Sequence, residues 1–257
     1  MKITVLFEGK PIDLSEIEAW EKKHSVAMTK RLQRKYKVTF PDGFIQRIPQ
    51  MEIKKVRAEL VRAKQRIGSE GIRSRLSGTL KLTDWIAGIM TIISRHKKKS
   101  SVVDIYVHEL PKSFELKKFC TDILNLMTMN SDENAAICLA GSPDHLILEG
   151  KGDRAQEIIE ITGGAPMESR FLNYYGDENG VDYPKDNSFP IQMAGVSRLK
   201  NGLLVGDVRH QYRMEENGFH AKLADEFPKV FTRKMITEHQ FHLACEFLVW
   251  YHWLLEE

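Results

Sequence analysis

The spacing of apolar residues along the chain changes near residue 100. Before it, apolar positions recur every three or four residues, as in the seam of Ile53, Val56 and Leu60, which is typical of amphipathic helices. Beyond it, short alternating or continuous apolar runs predominate, and these predict strands. The pattern therefore predicts a mainly helical N-terminal part followed by a part rich in antiparallel strands.

Turn and cap residues divide the N-terminal part into elements. Pro41-Asp42-Gly43 lies between two β-prone runs and predicts a hairpin, while Gly68 ends one helical pattern and Thr83 caps the next. The expected elements are a strand at residues 1–8, a helix at 15–37, a hairpin at 38–48, and helices at 51–67 and 83–99.

The C-terminal part contains one further helix pattern before the strands dominate. Asn201-Gly202 and Asn217-Gly218 are hairpin signals, so three strands over residues 191–227 are expected to form an antiparallel meander. The other expected elements are a strand at 101–108, a helix at 115–129, strands at 135–139, 145–148, 157–162 and 170–175, and a long helix at 232–255. Together the two parts predict an α+β fold.

The order of strand, helix, a run of antiparallel strands and one long last helix resembles the helix-grip fold of the START and birch-pollen-allergen superfamily. The resemblance covers residues 101–257 and rests on element order. That family has two short helices after its first strand, whereas the pattern here predicts one. The resemblance implies a curved sheet that grips the C-terminal helix, with a small-molecule cavity between them.

Charge divides the chain at the same place. Residues 1–100 contain 23 Lys and Arg against 10 Asp and Glu, and residues 101–257 contain 15 against 25. We therefore predict two domains, a basic one at 1–100 and an acidic one at 101–257. The basic part could contact nucleic acid phosphates, or it could be a solvated face that docks on the acidic part, within one chain or in a homodimer. The candidate nucleic-acid contacts are Lys30, Arg31, Arg34, Lys35, Arg62, Arg66, Lys97, Lys98 and Lys99.

The last hairpin suggests a catalytic pair. With Asn217-Gly218 as the loop, His210 lies opposite Asp225 on a face that also carries Leu223 and is expected to point inward. A histidine beside a carboxylate can be a general base with its orienting acid. The alternative is that His210 and Asp225 form a hydrogen-bonded pair near a strand end and have no catalytic role.

The C-terminal helix carries one polar stripe on an otherwise apolar surface. His239, His242 and Glu246 share a face, and a His and a Glu four residues apart can offer two ligands to a metal ion such as zinc. His210, Asp225, Glu160 or His145 could supply the remaining ligands from the sheet. The alternative is a hydrogen bond between His242 and Glu246.

Zinc-dependent hydrolases that cleave acylated phloroglucinols, within the helix-grip superfamily, are similar in having a His and a Glu four apart on the last helix. His242 and Glu246 match that pair, so the resemblance implies a metal-assisted hydrolase. The sequence thus favours a small-molecule-binding protein with an inward His/Asp/Glu cluster, working as a hydrolase or lyase. A nucleic-acid-binding protein and a structural, dimerising protein are the alternatives.

Two further features concern the compartment. The three cysteines, Cys120, Cys138 and Cys245, lie in apolar surroundings and are expected to be reduced. No run of about 18 apolar residues occurs, so no membrane span is expected. The N-terminus reaches Glu8 before a signal-peptide core could form, and the cytoplasm is the expected location.

Overall fold

Among residues 2–256, nine antiparallel strands form one sheet, and helices cover both of its faces. The computed structural model describes residues 2–256 of this α+β fold. The strands are β1 (Lys2–Phe7), β2 (Lys10–Ile12), β3 (Lys98–His108), β4 (His145–Gly150), β5 (Ala155–Glu160), β6 (Ser169–Tyr175), β7 (Ile191–Arg198), β8 (Leu204–Glu215) and β9 (Gly218–Pro228). The helices are α1 (Leu14–Tyr36), α2 (Phe44–Arg47), α3 (Ile53–Ile93), α4 (Leu116–Thr128), α5 (Asp132–Gly141) and α6 (Arg233–Glu256).

The strands run in the order β2-β1-β3-β9-β8-β7-β6-β5-β4. Six of them, from β4 to β9, follow one another by hairpin connections, and β9 pairs with β3. The N-terminal strand β1 adds to the other side of β3, with Val5 opposite Ile105. Residue 1 of the predicted first strand lies outside the described residues.

The predicted domain boundary near residue 100 falls inside β3. Val5 of β1 and Trp20 of α1 are buried in the same apolar cluster as Leu243 and Phe247 of α6. The strand β1 and the start of α1 therefore share a sheet and a core with the acidic part. The local change of period could not reveal this, because β1 pairs with a strand about one hundred residues away.

Each face of the β4–β5 end of the sheet packs on a different helix layer. Leu148 and Ile158 belong to the cluster beneath α6, whereas Ile147 and Ile159 belong to a second cluster with α1 and α3. Successive side chains of a strand point to opposite faces, so this end of the sheet is buried on both sides. Both strands are therefore buried along almost their whole length, including the polar residues of β5.

Four predicted elements are wrong. Residues 38–48 form no hairpin, because the turn at Pro41, closed by the Phe44 backbone N–H at 3.0 Å, leads directly into α2 and no strand follows. Residues 135–139 lie in α5, where the Ser131 hydroxyl accepts a hydrogen bond from the Asn134 backbone N–H at 3.0 Å and caps the helix. The helices predicted at 51–67 and 83–99 belong to one long α3 as far as Ile93, in which only Gly68 leaves helical geometry (φ 70°), and residues 98–99 begin β3.

The β8–β9 register also differs from the predicted one. Glu215 pairs with Gly218, so the turn is Glu216-Asn217, and His210 lies opposite Leu223 rather than Asp225. The shift moves partners by two positions, which preserves the face of every side chain. His210 and Asp225 therefore remain diagonal neighbours on the same face. Among residues 2–256, no helix is long and apolar enough to cross a membrane.

Candidate functional site

A cavity of about 410 Å³ lies between the sheet and α6 and extends to the last turns of α3. This volume is in the range of small-molecule sites. Apolar residues of both layers form much of its wall, among them Ile158, Phe171, Val208 and Phe247. The sequence-predicted residues His210, Asp225, His239, His242 and Glu246 all line it, together with Glu160.

Four side chains with metal-ligating atoms converge where α6 crosses β4 and β5. His242 and Glu246 are one turn apart on α6 and so share a face. His145 begins β4 and Glu160 ends β5, and the antiparallel pairing of these strands sets the two residues opposite each other. The ligating atoms of His145, His242 and Glu246 all lie within 4.8 Å of one another.

The separations in this cluster fit a divalent cation. His145 Nε2 lies 2.8 Å from His242 Nε2 and 3.4 Å from Glu246 Oε1. Glu160 Oε2 lies 3.5 Å from His242 Nε2 and 3.8 Å from His145 Nε2. Tetrahedral zinc with bonds of about 2.0–2.1 Å requires ligand atoms about 3.3–3.4 Å apart, which the His145–Glu246 and His242–Glu160 separations approach, whereas the two histidine nitrogens are at hydrogen-bond distance.

Hydrogen bonds orient two of the four side chains. The His145 Nδ1–H donates to the Cys138 carbonyl oxygen at 2.7 Å, so Nε2 carries the lone pair that faces the cluster. The Thr162 hydroxyl donates to Glu160 Oε1 at 2.9 Å, which leaves Oε2 on the side of the histidines. Such outer hydrogen bonds are typical of metal sites, because they fix ligand orientation before the ion binds.

Burial controls protonation in the cluster. It lowers the pKa of His145 to about 3, so the imidazole is neutral, which is the form that binds a metal. It raises the pKa of Glu160 to about 8 and that of Glu246 well above its ordinary value. A divalent cation would offset this cost of charging the carboxylates and release their protons. The donor types of His145, His242 and Glu246 therefore suit zinc, and Glu160 is a further carboxylate beside the two histidines.

A second network lies on the same cavity wall. His210 Nε2 lies 3.0 Å from Asp225 Oδ1, and the other oxygen of Asp225 lies 3.6 Å from His239 Nε2. The Ser101 hydroxyl is 3.1 Å from His239 Nδ1. Burial lowers the pKa of His239. The carboxylate of Asp225 thus orients His210 and leaves its Nδ1 free.

Several buried polar atoms of cavity-lining residues lack a protein partner. They include Nδ1 of His210, Nδ1 of His242 and Nε2 of Gln156. Buried polar groups are nearly always paired, so unpaired ones that line a cavity indicate groups that bond to a ligand or to water. The wall is therefore apolar with a few polar positions, the composition expected of a small-molecule site.

The predicted site residues thus separate into two groups. Of the predicted metal ligands, His242 and Glu246 lie in one cluster with His145, and Glu160 lies beside the two histidines. His239 lies outside that cluster. Its ring lies parallel to that of His242, with centroids 5.6 Å apart, but its nitrogens face Ser101 and Asp225.

Sequence reasoning missed the buried polar residues behind the cluster. His24 of α1 bridges Asp144 Oδ2 at 2.7 Å and Glu238 Oε2 at 3.2 Å. Lys64 of α3 is buried and donates to the Pro143 carbonyl oxygen at 3.0 Å, and burial lowers its pKa to about 7. A basic residue on the apolar seam of α3 is the one signal in the sequence that marks Lys64 as unusual.

A second acidic group already has a cation of its own. Asp182, Asp207 and Glu226 bring three carboxylates together. The Lys98 ammonium lies 2.5 Å from Asp207 Oδ2, 3.1 Å from Asp182 Oδ2 and 2.6 Å from the Gly180 carbonyl oxygen. Because the Lys98 ammonium already binds carboxylates of this group, we interpret the group as an ion-pair network rather than a metal site.

Internal ion pairs also engage part of the predicted nucleic-acid set. Arg31 and Lys35 both bind the buried carboxylate of Glu168, at 2.8 and 2.7 Å. Lys99 donates to the Phe231 carbonyl oxygen. Arg31, Lys35, Lys98 and Lys99 are therefore engaged in contacts within the chain. The other predicted nucleic-acid residues are exposed, namely Lys30, Arg34, Arg62, Arg66 and Lys97. The basic surface available to phosphates is therefore smaller than the sequence predicts.

Comparison with known proteins adds little. No protein-family model matches the chain, and no curated protein matches it. An uncharacterized protein from Rhizobium leguminosarum of known structure aligns with 63% of this chain and 98% of its own, at 11% identity and a TM-score of 0.31. A similarity at this level supports no argument about function.

Proposed function

We propose that this protein is a metal-assisted hydrolase or lyase that acts on an apolar small molecule. The observation that carries the proposal is the convergence of His145, His242 and Glu246, with Glu160 beside the two histidines, at a cavity of small-molecule size. Zinc, if bound there, would polarise a substrate carbonyl or activate a water molecule. We favour an acyl compound as substrate, because an acyl carbonyl is the group that such an ion polarises.

The remaining polar residues of the wall have roles that follow from their bonding. His210, held at Nε2 by Asp225, has Nδ1 free to accept a proton from water or to return one to a leaving group. His239 Nε2 lies 3.6 Å from the other carboxylate oxygen of Asp225. The apolar wall around them keeps bulk water from the substrate, which strengthens the electrostatic interactions inside the cavity.

We further propose that residues 98–256 have a helix-grip fold. In support, a first strand is followed by two helices, six strands and one long helix, so the second helix expected of that superfamily is α5. The cavity between α6 and the sheet agrees with this proposal. The similarity to the hydrolases of acylated phloroglucinols then makes acylated aromatic compounds the first substrates to test.

Metal content of the purified protein tests the proposal. We expect about one zinc per chain by elemental analysis, lost in His145→Ala and in His242→Ala. His252→Ala is the matched control, because His252 lies on the same helix and is exposed. A metal-free wild type that gains no metal on titration with zinc, manganese or iron would rule out the site, as would full retention by His242→Ala.

Activity is measured separately on acylated phloroglucinols and other aryl ketones and esters, by chromatography of the released acid. Activity is expected to require the metal and to return when zinc is added to chelated protein. A protein that binds zinc and converts none of these compounds would keep the metal site and refute the proposed substrate class.

A further inference from the structure

The last turns of α3 present apolar side chains to the solvent. Leu82, Trp85, Ile92 and Ile93 are 46%, 65%, 66% and 65% exposed. Leu82, Trp85, Ile89 and Ile92 follow one another at spacings of three and four residues, so they lie on one face of the helix. Together with Ile93 they form one stripe along about 17 Å of helix. We call Leu82, Trp85, Ile89, Ile92 and Ile93 the α3 stripe. Large exposed side chains in a contiguous patch mark an interaction surface.

Basic residues border the α3 stripe. Arg75 precedes it on the same face, Lys81 lies beside its start, and Arg95 and Lys97 follow its end; all four are exposed. Between residues 71 and 103 the sequence contains one acidic residue, Asp84, and its carboxylate is already paired with Arg170. The patch is therefore apolar in the middle and cationic at both ends.

This charge distribution decides between two occupants. A second copy of the chain would dock the same patch against itself, and a symmetric contact would bring the basic ends of the two stripes together. A bilayer with anionic headgroups offers the opposite charge at the ends and an apolar layer for Trp85 and the isoleucines. Tryptophan is enriched at that boundary, and helices of this composition lie in the plane of the interface.

The other side of the same helical turns lines the cavity. Ile86, Ala87 and Met90 contribute to its wall, next to Phe231 and Leu199. A bilayer in contact with the α3 stripe would thus lie one helix diameter from an apolar small-molecule site. We propose that the α3 stripe docks this protein on anionic membrane surfaces, where the cavity can take up apolar ligands.

Co-sedimentation with vesicles tests the docking directly. The full chain is mixed with vesicles of phosphatidylcholine alone or with added phosphatidylserine, at low and at physiological salt. We expect binding to the phosphatidylserine vesicles that weakens with salt, and binding at least about tenfold weaker for the double variant Trp85→Ser/Ile92→Ser. Met129→Ser/Met214→Ser, which removes two exposed apolar side chains elsewhere, is expected to bind like the wild type.

A second variant guards against a folding defect. Arg95→Glu/Lys97→Glu keeps the α3 stripe and reverses the charges at its end, so it should lose the preference for phosphatidylserine while its circular dichroism stays unchanged. Absence of vesicle binding at low salt would overturn the proposal. So would a wild-type dimer that Trp85→Ser/Ile92→Ser converts to monomers without any vesicle binding, since the stripe would then bind a second copy.

Discussion

Glu160 makes the metal-free protein less stable as the pH rises. Its side chain is buried at the cavity wall, and burial raises its pKa from 4.5 to about 8. In the unfolded chain the same carboxyl ionises near its ordinary pKa. Between about pH 5 and 8 the folded state therefore holds a proton that the unfolded state has lost, and stability falls with pH over that window.

The size of the effect follows from the shift. Each pKa unit corresponds to about 1.4 kcal/mol, so a pKa near 8 makes the free energy of unfolding about 3–4 kcal/mol lower at pH 8 than at pH 5. Glu160→Gln keeps an acceptor for the Thr162 hydroxyl and removes the ionisation. The variant should therefore lack this part of the pH dependence.

Urea unfolding of chelated protein at pH 5, 6, 7 and 8 measures the difference. The low pKa of His145 adds an opposite dependence, but it is present in both proteins and cancels in the comparison. Glu52→Gln, at an exposed carboxyl, is the control and should parallel the wild type. If the free energies of unfolding of Glu160→Gln and wild type change in parallel from pH 5 to 8, Glu160 is not a buried, protonated carboxyl. Zinc should remove the difference by binding the ionised form of the wild type.

Three further predictions concern other parts of the molecule. His210→Ala should lower turnover of an accepted substrate by about 10²–10⁴-fold with zinc content unchanged, as measured by steady-state kinetics and elemental analysis; loss of zinc would instead make His210 a ligand. Glu168→Gln should destabilise the fold by about 3 kcal/mol at neutral pH because it leaves Arg31 and Lys35 without their carboxylate. These cations lower the pKa of Glu168 despite its burial. In urea titrations the difference in unfolding free energy between variant and wild type should therefore shrink as the pH falls below the ordinary pKa of a glutamate. Gly218→Ala should strongly lower the thermal midpoint, since the added Cβ would lie within 3 Å of the Val107 carbonyl group. Gly78→Ala, in the open middle of α3, should raise the midpoint. Similar midpoints for the two variants would contradict the pairing of β9 with β3.

Part of the candidate site was predictable because it depends on local periodicity. Four residues of helix return a side chain to the same face, so the sequence placed His242 and Glu246 together. Two residues of strand do the same, and a hairpin shift by a whole pair kept His210 and Asp225 on one face although their partners changed. The apolar surface of α6 likewise indicated a helix buried on more than one side.

The choice among possible third and fourth ligands depended on strand pairing. His145 and Glu160 are opposite each other only because β4 and β5 pair in this register, and the apolar runs that form these strands fit more than one register. The same limitation explains why residues 135–139 of α5 were predicted as a strand. An apolar run of five residues is compatible with either a strand or a helix. The capping contact from Ser131 and the packing on α6 decide for the helix.

By itself the sequence determined the α+β class, the strand-rich C-terminal part, its long last helix and the faces of the residues that carry chemistry. The tertiary structure decided which of those faces meet, that β1 joins the main sheet, and which charges are neutralised within the molecule. Arg31 illustrates the reason, since its carboxylate partner, Glu168, is 137 residues away in the chain. Periodicity is a property of neighbouring residues, whereas ligands and ion pairs are brought together by contacts between distant segments.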